Sequence, residues 1–146
     1  MTPPPSCGDP GAYVHLPFCR RRCSYCDFAI AVGRDDQVER YLAALEHEIA
    51  TFQHELGERI ETIYFGGGTP SLIEPEAIGS LVAALRARST IAPVEVTLEA
   101  NPDDLSQQRI EDWAASPVNR LSIGVQSFFE EDLKLMNRAH SAEESI

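Results

Sequence analysis

The sequence predicts an α/β protein: four strand–helix units in succession, laid down as one parallel sheet that either opens into a doubly wound fold or curls toward a barrel. Three observations predict it. Short β-branched and aromatic runs alternate with amphipathic helical segments along the chain. Strand–helix–strand repetition calls for parallel pairing through right-handed crossovers. The residues least suited to a packed core (cysteines, a glycine triplet and polar runs) all fall directly after strands. That is the face on which barrels and open α/β sheets build their sites.

Residues 12–16 (AYVHL) form the first expected strand, followed by a loop with Cys19, Cys23 and Cys26. Residues 37–52 place Val38, Tyr41, Leu42, Leu45, Ile49 and Phe52 at helical spacing, with Gly57 as a stop. Residues 60–65 (IETIYF) read as the second strand and Gly66, Gly67 and Gly68 as the turn after it. Pro75 suits the first turn of a helix running to Arg88. Residues 94–98 (VEVTL) are a third strand and residues 105–115 a helix with the single tryptophan, Trp113. Residues 120–125 (RLSIGV) complete the set of strands, and a last helix covers 129–137.

The proline-rich residues 1–10 are expected to be a disordered leader, and residues 11–146 one core domain. An eight-unit barrel takes roughly 250 residues. The chain has 146, so it is read as the N-terminal part of such a fold, with a fourth-strand edge that further strands would pair.

Composition narrows the function. The chain is 43% hydrophobic and 24% charged, ordinary for a globular protein. Asp and Glu number 23 against 12 Lys and Arg, a net charge of −11, which argues against nucleic-acid binding because a phosphate backbone needs a basic face. No apolar run approaches the roughly 20 residues of a membrane span. The leader has neither the basic nor the apolar region of a secretory signal. The cytosol is therefore the expected compartment, where cysteines are metal ligands or catalytic groups more often than disulfides. Cys7 stands alone in the leader as a free thiol.

Cys19, Cys23 and Cys26 read C-x3-C-x2-C. Thiolates are soft ligands that suit zinc and iron–sulfur centres alike. Structural zinc wants four closed ligands. Three suffice to hold an iron–sulfur cube with one iron open, and on the cysteines alone both readings stand. His15 lies inside the first strand and is expected to be packed or hydrogen-bonded. Tyr25 and Phe28 flank the last cysteine, where apolar neighbours exclude water. Arg20, Arg21 and Arg22 would offset cluster charge, dock an acidic reductant or substrate carboxylate, or form a plain solvated turn. The glycine triplet lets the backbone approach a small polar ligand, and Thr69 adds a hydroxyl. It lacks the Lys-[Ser/Thr] of a phosphate-binding P-loop. Glu99 suits ribose hydroxyls or an amine, and Gln126 is a further polar residue at a strand end.

The segments AYVHLPFCRRRCSYCDF, YFGGGTPS, LEANPDD and RLSIGVQSF…LMNRAH together resemble the radical S-adenosylmethionine (SAM) proteins around oxygen-independent coproporphyrinogen III oxidase and the heme chaperone HemW. The resemblance runs from Ala12 to His140, with the motifs in the family's order. It implies a partial (β/α) barrel of the radical SAM type. Cys19, Cys23 and Cys26 would ligate a [4Fe–4S] cluster whose open iron takes the amino and carboxylate groups of SAM. One electron would cleave the S–C5′ bond to methionine and a 5′-deoxyadenosyl radical. Tyr13, Tyr25, Gly67, Gly68, Thr69, Glu99, Gln126 and Arg138 would bind SAM.

Within the family, the oxidase decarboxylates porphyrinogen propionates, whereas the chaperone binds heme and passes it to apoproteins. The oxidase pattern has an additional Cys two positions after the last ligand and GVQDF near the fourth strand. This chain has Asp27-Phe28 and Gln126-Ser127-Phe128, as in the chaperone branch. The implied partners are heme or a porphyrinogen, heme-accepting apoproteins and an electron donor such as a flavodoxin-like protein. A zinc-bound or inactive fragment is the third alternative.

Overall fold

Successive parallel strands each join the same edge of one sheet. The computed structural model describes residues 11–52, 60–89 and 92–146. The leader expected over residues 1–10, with Cys7, and the helix stop at Gly57 lie outside the described residues. The elements are β1 (Gly11–Leu16), β2 (Phe18–Cys19), β3 (Ala31–Val32), α1 (Val38–Thr51), β4 (Thr62–Gly67), α2 (Pro75–Arg86), β5 (Glu95–Ala100), α3 (Gln107–Ala114), β6 (Arg120–Ile123) and α4 (Glu130–Leu135). The main sheet has the order β1-β4-β5-β6, and every pair is parallel. A doubly wound sheet reverses its strand order partway; this one does not, which is how a barrel wall begins.

Strand alternation separates two faces. Val14, Phe65, Leu98 and Leu121 fall in one register row. With Leu16, Ile63 and Val96 they belong to an apolar cluster completed by Ile78, Leu81, Val82 and Leu85 of α2 and Trp113 of α3. The next row, Tyr13, Tyr64, Thr97 and Arg120, belongs to the other face, as does Glu99, registered with Ser122. The polar strand-end residues are thus kept off the core by parity alone.

The helices α1 and α2 start and run close to expectation, and Pro75 opens α2. Helix α1 buries no residue fully, yet Val38, Tyr41, Leu42, Leu45 and Ile49 pack against the core. Its Tyr41 Oη donates to the His15 carbonyl at 2.8 Å, and the ring meets Phe18 edge-on at 5.4 Å. This fixes the exit from β1 into the cysteine loop.

Several boundaries shift. The second strand is 62–67 rather than 60–65, so Gly66 and Gly67 are strand residues paired with His15 and Leu16 rather than a turn. Parallel register with His15 and Leu16 at the end of β1 draws them into the ladder. The third strand continues through Ala100. The fourth stops at Ile123, where the Gly124 N–H donates to the Ala100 carbonyl at 2.8 Å and Gln126 turns the chain at φ 66°. A 3-10 turn, Pro102–Asp104, precedes α3, whose Ser106 hydroxyl caps it by accepting from the Arg109 N–H at 3.2 Å. The last helix contracts to 130–135. The pair β2–β3, two residues each, was not expected.

Candidate functional site

The carboxyl ends of the strands open onto a cavity of about 370 Å³. Cys19, Cys23, Cys26, Tyr25, Gly67, Gly68, Thr69, Glu99, Gln126 and Arg138 all line it. Of the residues expected to hold the cluster or SAM, only Tyr13 does not. It is 60% exposed and stacks on Tyr64 at 6.0 Å, with its hydroxyl 3.1 Å from His15 Nδ1. His15 also meets the Ala29 carbonyl at 3.0 Å through Nε2, so it is the hydrogen-bonded strand histidine expected.

The cysteine loop is held from several directions. Cys19 is placed by β2, beside which the Ala31 N–H donates to the Pro17 carbonyl at 2.8 Å. The Cys26 N–H closes a turn on the Cys23 carbonyl at 3.2 Å. The segment after α4 then clasps the loop. Ser24 donates to the Met136 and Leu135 carbonyls at 3.1 and 3.0 Å, and Asn137 Nδ2 donates to the Arg22 carbonyl at 2.8 Å. The three consecutive arginines are engaged as well. Arg20 pairs with Asp104 at 2.7 Å, Arg21 donates to the Arg138 carbonyl at 3.3 Å and Arg22 to the Cys26 carbonyl at 3.2 Å. They brace the loop while staying exposed to solvent.

Two contacts reach the sulfurs. Thr69 Oγ1 lies 3.5 Å from Cys19 Sγ and accepts from Asn101 Nδ2 at 3.3 Å. Arg138 Nη1 donates to Cys23 Sγ at 3.5 Å and to Tyr25 Oη at 3.3 Å; its Nη2 donates to Asn101 Oδ1 and, at 2.7 Å, to the Gly124 carbonyl. Glu99 accepts from Tyr64 Oη at 2.7 Å and from the Gly67 N–H at 3.1 Å. Asn101 and Tyr64 were not predicted as site residues. Asn101 stands two positions beyond Glu99 in the same strand-end run, which is the signal that could have found it.

The N–H groups of the glycine segment are engaged within the protein. The Gly67 N–H is bound to Glu99, the Gly68 N–H donates to the Leu16 carbonyl at 2.8 Å and the Thr69 N–H to the Phe18 carbonyl at 2.8 Å. These donors hold protein, not ligand. Gly67 has φ 116°, and a Cβ there would lie 2.5 Å from the His15 ring; one on Gly68 would lie 2.6 Å from the Pro17 and Phe18 backbone. The bare backbone lets β1 and the cysteine loop come close.

Burial pushes the Cys19 thiol up, the Thr69 hydroxyl opposes this, Cys26 and Cys23 raise it further and Arg138 pulls it down. Among the described residues no three His, Cys, Asp or Glu side chains are placed to grip a single metal ion; the three cysteines line the cavity. Tyr25 is pushed up chiefly by burial, and Tyr64 chiefly by its bond to Glu99. Tyr25 and Phe28 are 49% and 64% exposed, so they border the cavity instead of sealing it.

The donor set fits a cluster with an open position: three unpaired soft thiols and no fourth cysteine in the loop. Arg138 Nε is buried without a partner, which suits an acceptor brought in by a bound group.

A barrel-type parallel sheet with three cysteines lining one cavity at its strand ends defines the class, an α/β protein with a thiol-lined strand-end site. The chain belongs to the Radical SAM superfamily, which it matches over residues 13–146. Membership implies a [4Fe–4S] cluster and SAM. It is 42% identical over 139 residues to the heme chaperone HemW of Escherichia coli, covering 91% of this chain and 36% of that protein. It is 41% identical over 137 residues to the oxygen-independent coproporphyrinogen III oxidase of Bradyrhizobium diazoefficiens, covering 91% of this chain and 30% of that one. The solved structure of coproporphyrinogen III oxidase from E. coli, described as a radical SAM enzyme, superposes with a TM-score of 0.79 at 33% identity, over 92% of this chain and 32% of that one. The chain thus spans about a third of the length of these relatives. No helix among the described residues is long and apolar enough to cross a membrane.

Proposed function

We propose that Cys19, Cys23 and Cys26 hold a [4Fe–4S] cluster, that SAM binds beside it, and that the protein serves tetrapyrrole metabolism as a heme chaperone. The observation that carries the site is one cavity lined by all three thiols together with Glu99, Gln126 and Arg138. When bound, the cluster supplies an electron to the sulfonium of SAM, and with it access to radical chemistry.

The chain's residues prepare that site. Cys19 is biased toward the protonated thiol, so loading releases a proton there and ligation is pH-dependent. The Arg138 guanidinium beside Cys23 offsets thiolate charge and crosslinks the cysteine loop to Asn101 and Gly124. Glu99, fixed by two donors, offers its remaining lone pairs to an amine or ribose hydroxyls. Gln126, turned by its positive φ, and Tyr25 border the same space. Tyr13 acts at one remove, through its stack on Tyr64. The cytosol suits three reduced thiols, and an electron donor such as a flavodoxin-like protein completes the reading.

The chaperone branch is supported by Asp27-Phe28 and Gln126-Ser127-Phe128 and by the HemW relative. The oxidase-named relative and the oxidase structure support the second reading, decarboxylation of porphyrinogen propionates. Heme titration and porphyrinogen turnover separate them. Stoichiometric heme binding without CO2 release, and heme transfer to apoproteins, fit the chaperone; CO2 release overturns it. Tight zinc binding without iron uptake leaves the zinc-bound or inactive alternative.

A further inference from the structure

Asp104, at the end of the Pro102–Asp104 turn, has a side chain only 3% exposed. Its Oδ2 accepts from Ser71 Oγ at 2.9 Å, and its Oδ1 meets the Arg20 guanidinium at 2.7 Å. Asp103 places a second carboxylate 3.6 Å from the same nitrogen. Ser71 is itself immobilised. It is buried, and its carbonyl accepts from Arg109 Nη2 at 3.2 Å. Arg109 is anchored in turn by the Ile73 carbonyl at 2.7 Å, Glu74 at 2.8 Å and the Trp113 ring at 5.2 Å. Arg20 directly follows Cys19. Three strand-end segments therefore meet at one carboxylate.

We infer that Asp104 is a positioning residue: through Arg20 it fixes Cys19 at the cavity before any cluster arrives. The inference rests on the reading of Cys19 as a ligand. An acid placed for stability alone would not be sited so. Burial pushes its carboxyl above the usual range, and Ser71 and Arg20 offset that only in part. Arg20 is 60% exposed, so removing the carboxylate leaves its charge solvated rather than stranded. Position and stability are therefore separable in this pair.

The test uses the metal-free, reduced chain under anaerobic conditions. Asp104→Asn, Arg20→Met, their double variant and Arg20→Lys are treated with iodoacetamide, and labelling is mapped by peptide mass spectrometry with Cys26 as internal reference. Cys19 labelling is expected to accelerate roughly fivefold in Asp104→Asn and Arg20→Met, the change that loss of one ion pair brings. The double variant should match either single one, and Arg20→Lys should resemble the unsubstituted chain. The thermal midpoint of Asp104→Asn should hold or rise. Unchanged Cys19 labelling in folded Arg20→Met, or effects that add in the double variant, would overturn the inference. Iron uptake is measured separately. A chain that labels as expected but takes up no iron supports the tie while overturning the cluster reading.

Discussion

Thr69 Oγ1 lies 3.5 Å from Cys19 Sγ, although fifty positions separate them in the sequence. The contact joins the first thiol to the segment after the glycines, and Asn101 joins both to the end of β5 through Thr69. Thr69→Val keeps the shape and removes the hydroxyl. The hydroxyl lowers the Cys19 pKa against the burial that raises it, so the variant should shift the pH profile of Cys19 alkylation to higher pH. Asn101 Nδ2 also loses an acceptor, a stability loss of about 1 kcal/mol in urea titration. A profile moving to lower pH would contradict this assignment.

Gly67→Ala is expected to destabilise by about 3 kcal/mol, since strain and overcrowding each cost on the order of 1–3 kcal/mol. Its φ is 116° and the new Cβ would meet the His15 ring at 2.5 Å. Chemical denaturation measures this directly. Gly33→Ala has positive φ but nothing within 4 Å, so it should cost less, isolating the His15 contribution.

Tyr64→Phe tests how Glu99 is held. Removing the phenol deletes the 2.7 Å bond to the carboxylate and leaves Gly67 N–H as the remaining described donor to it. Bonds to charged groups contribute about 1.5–3 kcal/mol. SAM affinity measured by calorimetry on the reconstituted protein should fall roughly tenfold if Glu99 is a SAM contact. An unchanged affinity would remove Glu99 from that role.

Asp104 also predicts a pH dependence of stability. Its folded pKa lies above the ordinary 3.8, chiefly through burial. The neutral form is favoured by folding, so this group's contribution is fully present below 3.8 and is lost as pH rises through the folded value. Relative to the native chain, Asp104→Asn should therefore be more stable near pH 7 than near pH 3. Paired urea titrations at the two pH values check the sign.

What the sequence disclosed follows from periodicity. The β-branched and aromatic run IETIYF, the alternation in VEVTL and the spacing of Val38, Tyr41, Leu42, Leu45 and Ile49 are local signals, and Ile60, Ile63, Phe65, Val96, Leu98 and those helix residues all join the core or pack against it. Pro75 marked its helix because its fixed φ suits a first turn. Gly66 and Gly67 were misread because glycine signals turns, whereas their strand character comes from register with β1. The β2–β3 pair is too short for any period to show. The parts of the site that stayed hidden, Arg20 with Asp104 and Arg138 with Asn101, are pairings between distant segments. Only the packing of strand ends brings them together.

The central claim is tested most directly by anaerobic reconstitution with iron and sulfide, followed by iron and sulfide analysis. The account predicts about four irons per chain, as a single [4Fe–4S] cluster requires, abolished by Ala at any one of positions 19, 23 or 26 and unaffected by Cys7→Ala. Cluster retention without one of those three thiols, or zinc held tightly with no iron uptake, would contradict it.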